Sequence, residues 1–149
     1  MANYYYIISE AKFFEDKAKA WDFVTDTEID LNGPCYSQIP SFGEVKSKLE
    51  EFSLLVEEGF SAEGRVEIMA RKNREEALWL IFNDIKDESS KAWMFRIGRG
   101  SDHDLTIDFI KYLGQTHGNF LFYSDTGMMS VITPEKDNDL IKSQLYGVS

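Results

Sequence analysis

The sequence predicts a single α+β domain over residues 1–149, a mainly antiparallel sheet with helices packed on one face. Three observations point there. Short β-branched and aromatic runs outnumber long periodic ones. Two helical stretches open on explicit capping residues. Turn-forming residues, not crossover helices, separate the final strands.

The elements follow in order. "NYYYIIS", residues 3–9, is aromatic and β-branched and reads as a strand. Residues 10–24 place Phe13, Phe14, Ala18, Trp21 and Val24 at near-helical spacing, which predicts an amphipathic helix. Residues 25–40 form a long loop with Asn32-Gly33, Pro34 and Pro40. A loop of that length is expected to be functional or to carry short structure of its own. Ser41 and Glu44 then make a capping box, followed by Val45, Leu49, Phe52, Leu55 and Val56 at helical spacing and a stop at Gly59.

Between 65 and 98 the pattern changes to three strands in a meander, "RVEIMAR", "ALWLIFN" and "AWMFRIG". The middle one also fits a helix capped by Asn73 and Glu76. "GSDHDLTIDFIKYLGQTHGN" predicts a further helix, with Ser101 and Asp104 as cap pair and Leu105, Phe109, Ile110 and Leu113 as the buried stripe. "NFLFY" and "MSVIT" predict a hairpin across residues 124–127, and the tail a short closing helix.

Composition excludes several functions. The net charge of −10 and pI near 4.6 repel polyanions, so neither nucleic acid nor an anionic membrane is an expected partner. The longest apolar run, Ala77 to Phe82, is far short of the roughly 20 residues a membrane helix needs. The start "MANYYYIISEAKFFED" has no basic region or small-residue cleavage site, so a cytoplasmic location is expected. A single cysteine, Cys35, rules out an intrachain disulfide and reads as a small apolar filler.

The sites with chemical promise each have a structural reading. Asp125-Thr126-Gly127 matches the aspartic proteinase triplet, but no second triplet exists and Met128 follows. Asp and Gly in a hairpin turn account for it. Asp102, His103, Asp104 and Asp108 offer a small-molecule or metal site, yet with one Cys and two His in the chain no standard zinc set exists. Helix capping explains the same acids. No cofactor or metal is expected.

Acid clustering is the remaining signal. Residues 10–30 and 44–63 each carry a net −4. Asp22, Asp26, Glu28, Asp30, Tyr36, Glu57 and Glu58 are the expected partner-binding residues, facing a basic protein. The segment "RGSDHDLTIDFIKYLGQTHGNFLFYSDTGMMSVI", a helix followed by a hairpin, resembles the small acidic bacterial toxin-immunity proteins. That resemblance implies a non-enzymatic inhibitor of a basic toxin or enzyme, and carries over no functional residues. An enzyme or sensor near Asp102–Asp108, or a self-associating adaptor, are the alternatives.

Overall fold

The computed structural model describes residues 5–12, 19–22, 27–30, 38–52, 55–60, 64–98, 100–125 and 128–145. Its frame is a seven-stranded antiparallel sheet. In chain order the strands are β1 (Tyr5–Ser9), β4 (Leu55–Phe60), β5 (Val66–Arg71), β6 (Ala77–Phe82), β7 (Met94–Ile97), β8 (Phe120–Ser124) and β9 (Met129–Ile132). Across the sheet the order is β4-β5-β6-β7-β1-β8-β9. A separate two-stranded hairpin, β2 (Lys19–Asp22) with β3 (Thr27–Asp30), lies against β9. The helices are α1 (Phe42–Phe52), α2 (His103–His117) and α3 (Asn138–Leu145). The α+β class predicted from sequence is the observed one.

Side chains alternate across each strand, so the sheet has two unlike faces. Ile7, Ile68, Leu78, Leu80, Phe82, Phe95, Phe120 and Phe122 point to one face and are buried. There they meet Val45 and Leu49 of α1, Phe109, Ile110 and Leu113 of α2, and Ile141 of α3 in one continuous core. Phe82 is held edge-on by Phe42 and tilted against Phe95. On the other face Ile8, Leu121 and Val131 form a small buried cluster.

The helix ends follow local chemistry. The predicted capping box is present: Ser41 N–H donates to Glu44 Oε1 at 3.1 Å and Glu44 N–H to Ser41 Oγ at 3.2 Å. The α2 cap is Asp102, not Ser101: its Oδ1 accepts from Leu105 N–H at 2.9 Å. Ser101 instead reaches back to β6, where its Oγ accepts from Trp79 N–H at 3.0 Å.

Three expectations are corrected. The helix over 10–24 is not continuous: residues 10–12 are helical, but Lys19–Asp22 is strand β2. Its backbone pairs with β3, from Lys19↔Asp30 to Asp22↔Thr27, and an aromatic such as Trp21 suits a strand as well as a helix. The loop 25–40 therefore contains a strand, while residues 31–37, including Cys35 and Tyr36, lie outside the described residues.

The helix begun at Ser41 ends at Phe52 rather than near Gly59, and Leu55–Phe60 is edge strand β4. Its six residues pair with β5 from Leu55↔Arg71 to Phe60↔Val66, a ladder that overrides the local helical spacing of Leu55 and Val56. β6 is the strand that the sequence predicted, and Asn73, the cap of the alternative helix, caps a turn. Asn73 Oδ1 accepts from the N–H groups of Glu75 and Glu76, both at 2.8 Å, closing the β5–β6 hairpin.

Ser9 is fully buried at the end of β1, and its hydroxyl has no hydrogen-bond partner among the described residues. Replacing it with alanine removes an unsatisfied polar group, so Ser9→Ala should leave stability unchanged or raise it by up to about 1 kcal/mol. Urea unfolding checks this; a clear drop in midpoint would show that the hydroxyl is bonded.

Candidate functional site

Strand register builds the candidate site on the open sheet face. One cross-strand row reads Glu57 (β4), Met69 (β5), Trp79 (β6), and Gly98 just past β7. The next row begins Gly59, Glu67, Ile81 and Arg96. Between them lies a shallow depression of about 330 Å³ lined by Glu57, Glu58, Gly59, Glu67, Met69 and Trp79. Its floor is an indole and a thioether, and its rim is carboxylate.

Gly98 explains why Trp79 lies where it does. A Cβ at position 98 would fall 2.3 Å from Trp79 Cδ2, so only glycine lets the indole pack directly on the neighbouring backbone. The Trp79 backbone is held on both sides. Gly98 N–H donates to its carbonyl at 2.8 Å, and its own N–H donates to Ser101 Oγ. The indole platform is therefore part of the sheet framework rather than a loop side chain.

The two predicted glutamates of β4 play different parts. Glu58 faces the helices and bonds Lys46 of α1 at 2.7 Å, an ion pair that ties the edge strand to the core and raises the Lys46 pKa. Glu57 points to the open face and is exposed. Glu67 is half-buried and takes a long contact of 3.4 Å from Arg65.

The other expected partner-binding acids are elsewhere. Asp22, Glu28 and Asp30 belong to the β2–β3 hairpin beside β9. That edge lies six strand spacings from β4, about 29 Å of sheet. The fold thus separates acids that the sequence grouped together. Asp26 and Tyr36 lie outside the described residues.

The acids of the alternative site hold helices. Asp102 caps α2. Asp104 bonds Lys142 of α3 at 2.8 Å, which holds its carboxyl below the ordinary range. Asp108 accepts from Asn138 Nδ2 at 2.7 Å. His103 has its pKa lowered mainly by burial. Among the described residues no three His, Cys, Asp or Glu side chains cluster as metal ligands. Asp125 is exposed at the hairpin turn, where Ser124 N–H meets the Met128 carbonyl at 2.9 Å.

A second concavity, about 590 Å³, opens between the ends of α1 and α2. Buried His117 there places Nε2 2.7 Å from Glu44 Oε2, and Nδ1 2.9 Å from Thr116 Oγ1. Glu44 thus serves the α1 capping box and the end of α2 at once. Nothing in the sequence marks this pair, because 73 residues separate its members. Trp79, Met69 and Glu67 were likewise missed, since only strand register places them beside Glu57.

Two predictions follow from these contacts. Gly98→Ala must displace the Trp79 ring, at a cost of about 1–3 kcal/mol, with a change in tryptophan fluorescence; unchanged stability and spectrum would refute the packing. The Glu44 carboxyl is held below its ordinary value of 4.5 by the His117 hydrogen bond first, then by Ser41 N–H. A lowered folded pKa contributes stability that is present above the unfolded value and lost as pH falls through the folded one. Glu44→Gln should therefore be less stable than wild type at neutral pH. It should also lose part of the decline in urea midpoint below about pH 4.5. Parallel pH profiles for the two proteins would count against the pair. No family model matches the chain, and neither a curated protein nor a solved structure does.

Proposed function

We propose that the chain is a non-enzymatic cytoplasmic binding protein, an immunity-type inhibitor that neutralises a basic toxin or enzyme through an acidic surface. The observation that carries this reading is the Trp79 depression rimmed by Glu57 and Glu67 beside the edge strand β4. An indole face flanked by carboxylates suits a Lys or Arg side chain. The ring attracts the cation, for about 0.5–2 kcal/mol, and the acids complete its charge. The net charge of −10 extends the attraction beyond contact distance and speeds encounter with a basic partner.

Several features agree with binding rather than turnover. The depression is shallow and set on paired strands, so it needs little rearrangement to bind. Asp104 has a lowered pKa and a lysine partner, the opposite of a carboxyl poised as a general acid. No helix among the described residues is long and apolar enough to cross a membrane. The large apolar side chains exposed among them, Leu55, Trp93 and Leu140, sit on β4, in the loop before β7 and on α3.

The test is capture of a basic protein from the native lysate on the tagged chain, at low and at roughly 0.5 M salt, where screening shortens to a few ångströms. Glu57→Gln with Glu67→Gln should weaken the complex at least about tenfold, chiefly through slower association. Amide substitutions at Asp22, Glu28 and Asp30, on the opposite edge, separate the two acidic regions. Loss with that set alone moves the interface to the hairpin. Capture of no basic protein at either salt sinks the inhibitor reading.

A further inference from the structure

The open face carries a second concavity of opposite character. The β6–β7 ladder pairs only Leu80↔Ile97 and Ile81↔Arg96. On its other side β7 stays paired with β1 as far as Met94. β6 therefore parts from β7 while staying paired with β5 as far as Phe82, and a wedge opens between β6 and β7. A cavity of about 200 Å³ fills it, lined by Tyr6, Asn83, Asp84, Lys91, Trp93, Met94, Phe95 and Arg96. In a chain of net −10, this lining carries two cations and one carboxylate.

The wall is built and held. Residues 83–93 leave β6 and return to β7 tied near each end. Ile85 N–H donates to the Gly64 carbonyl at 2.9 Å, Ala92 N–H to the Pro40 carbonyl at 2.9 Å, and Ser9 N–H to the Trp93 carbonyl at 2.9 Å. Lys12 lies 5.4 Å from the centre of the Trp93 ring. Asp84 stands at φ 60°, the one non-glycine with positive φ among the described residues. Backbone held in that region by its surroundings concentrates at binding sites.

Three exposed polar side chains of the lining have no partner within the described residues. Among the described residues the side chains of Asn83, Asp84 and Lys91 form no hydrogen bond or ion pair, with each other or with any neighbour. Asp84 and Lys91 line one cavity yet do not pair. Both are exposed and hydrated, and a ligand bearing both charges would replace that water with two ion pairs. The volume lies below the roughly 300–1,000 Å³ typical of drug-sized sites, which limits the ligand to a few heavy atoms.

We propose that the wedge between β6 and β7 is a binding site for a small zwitterion of the free α-amino acid class. Its carboxylate meets Lys91, its ammonium meets Asp84 and the Asn83 amide oxygen, and its side chain lies against Trp93 and Met94. This site does not depend on the inhibitor reading, which rests on other residues.

The experiment is an amide and indole N–H chemical-shift titration of the full chain with individual free amino acids. It runs to about 20 mM, well above a dissociation constant of about 1 mM. Saturable shifts of the Trp93 indole and of the Asp84 and Lys91 amides are expected. The N-acetyl derivative, without the ammonium, and the C-terminal amide, without the carboxylate, should each bind at least tenfold more weakly. Asp84→Asn keeps a residue that tolerates positive φ and removes only the charge; Lys91→Met keeps the stem. Each should weaken the zwitterion about tenfold, and Asp84→Asn should abolish the preference over the N-acetyl derivative. The proposal is overturned if no amino acid gives a saturable shift, or if either derivative binds as well as its parent. It is also overturned if both variants bind as wild type. If a variant fails to fold, the comparison of derivatives on the wild-type chain decides.

Discussion

Everything in this fold depends on the insertion of one strand. Tyr5–Ser9 pairs with β7 on one side and β8 on the other. Without it the meander β4–β7 and the hairpin β8–β9 are two unconnected sheets, each with a raw edge where apolar Phe95 and Phe122 would face no neighbour. The partners are distant in sequence, with Ile7 opposite both Phe95 and Phe122. Closing such loops costs chain entropy before the contacts repay it, so inserting this strand is an entropically expensive part of the fold.

The inserted strand also decides how the two faces differ. Ile7 goes to the helix-covered side and joins the main core, while Tyr6 and Ile8 go to the other side. Tyr6 stacks on Tyr123 at 5.2 Å and sits in register with Arg96, so a single row of residues runs across all seven strands from Gly59 to Met129. The covered face spends its side chains on packing. The open face is where the chemistry collects, with an acidic depression over Trp79 at one end and a mixed-charge wedge beside Arg96.

Helix ends do structural work that a sequence motif can mistake for a site. Asp102, Asp104 and Asp108 form a run of acids with a histidine, yet each is engaged by the α2 cap or by α3. Glu44 and His117 form no motif at all, yet they join two helix ends inside a concavity. Only the Asp102 cap is local; the bonds of Asp104 and Asp108 span 38 and 30 residues and the Glu44–His117 pair 73, so no short window of sequence contains them.

The sequence by itself determined the α+β class, the capping box at Ser41 and Glu44, the buried stripe of α2 and the hairpin after Asn119. Each rests on local periodicity or on hydrogen bonds between near neighbours, which act before any tertiary contact. It also named Glu57 as a surface acid. Only the tertiary structure decided that Leu55 and Val56 leave the helix for an edge strand, that Trp21 lies on a strand, and that Asn73 turns a hairpin. In each case the same residues suit two local conformations, and ladder pairing with a distant strand selects one. The same pairing set Glu57 beside Met69 and Trp79 and moved the hairpin acids to the far edge. Register between strands depends on the whole sheet, and no window of sequence contains it.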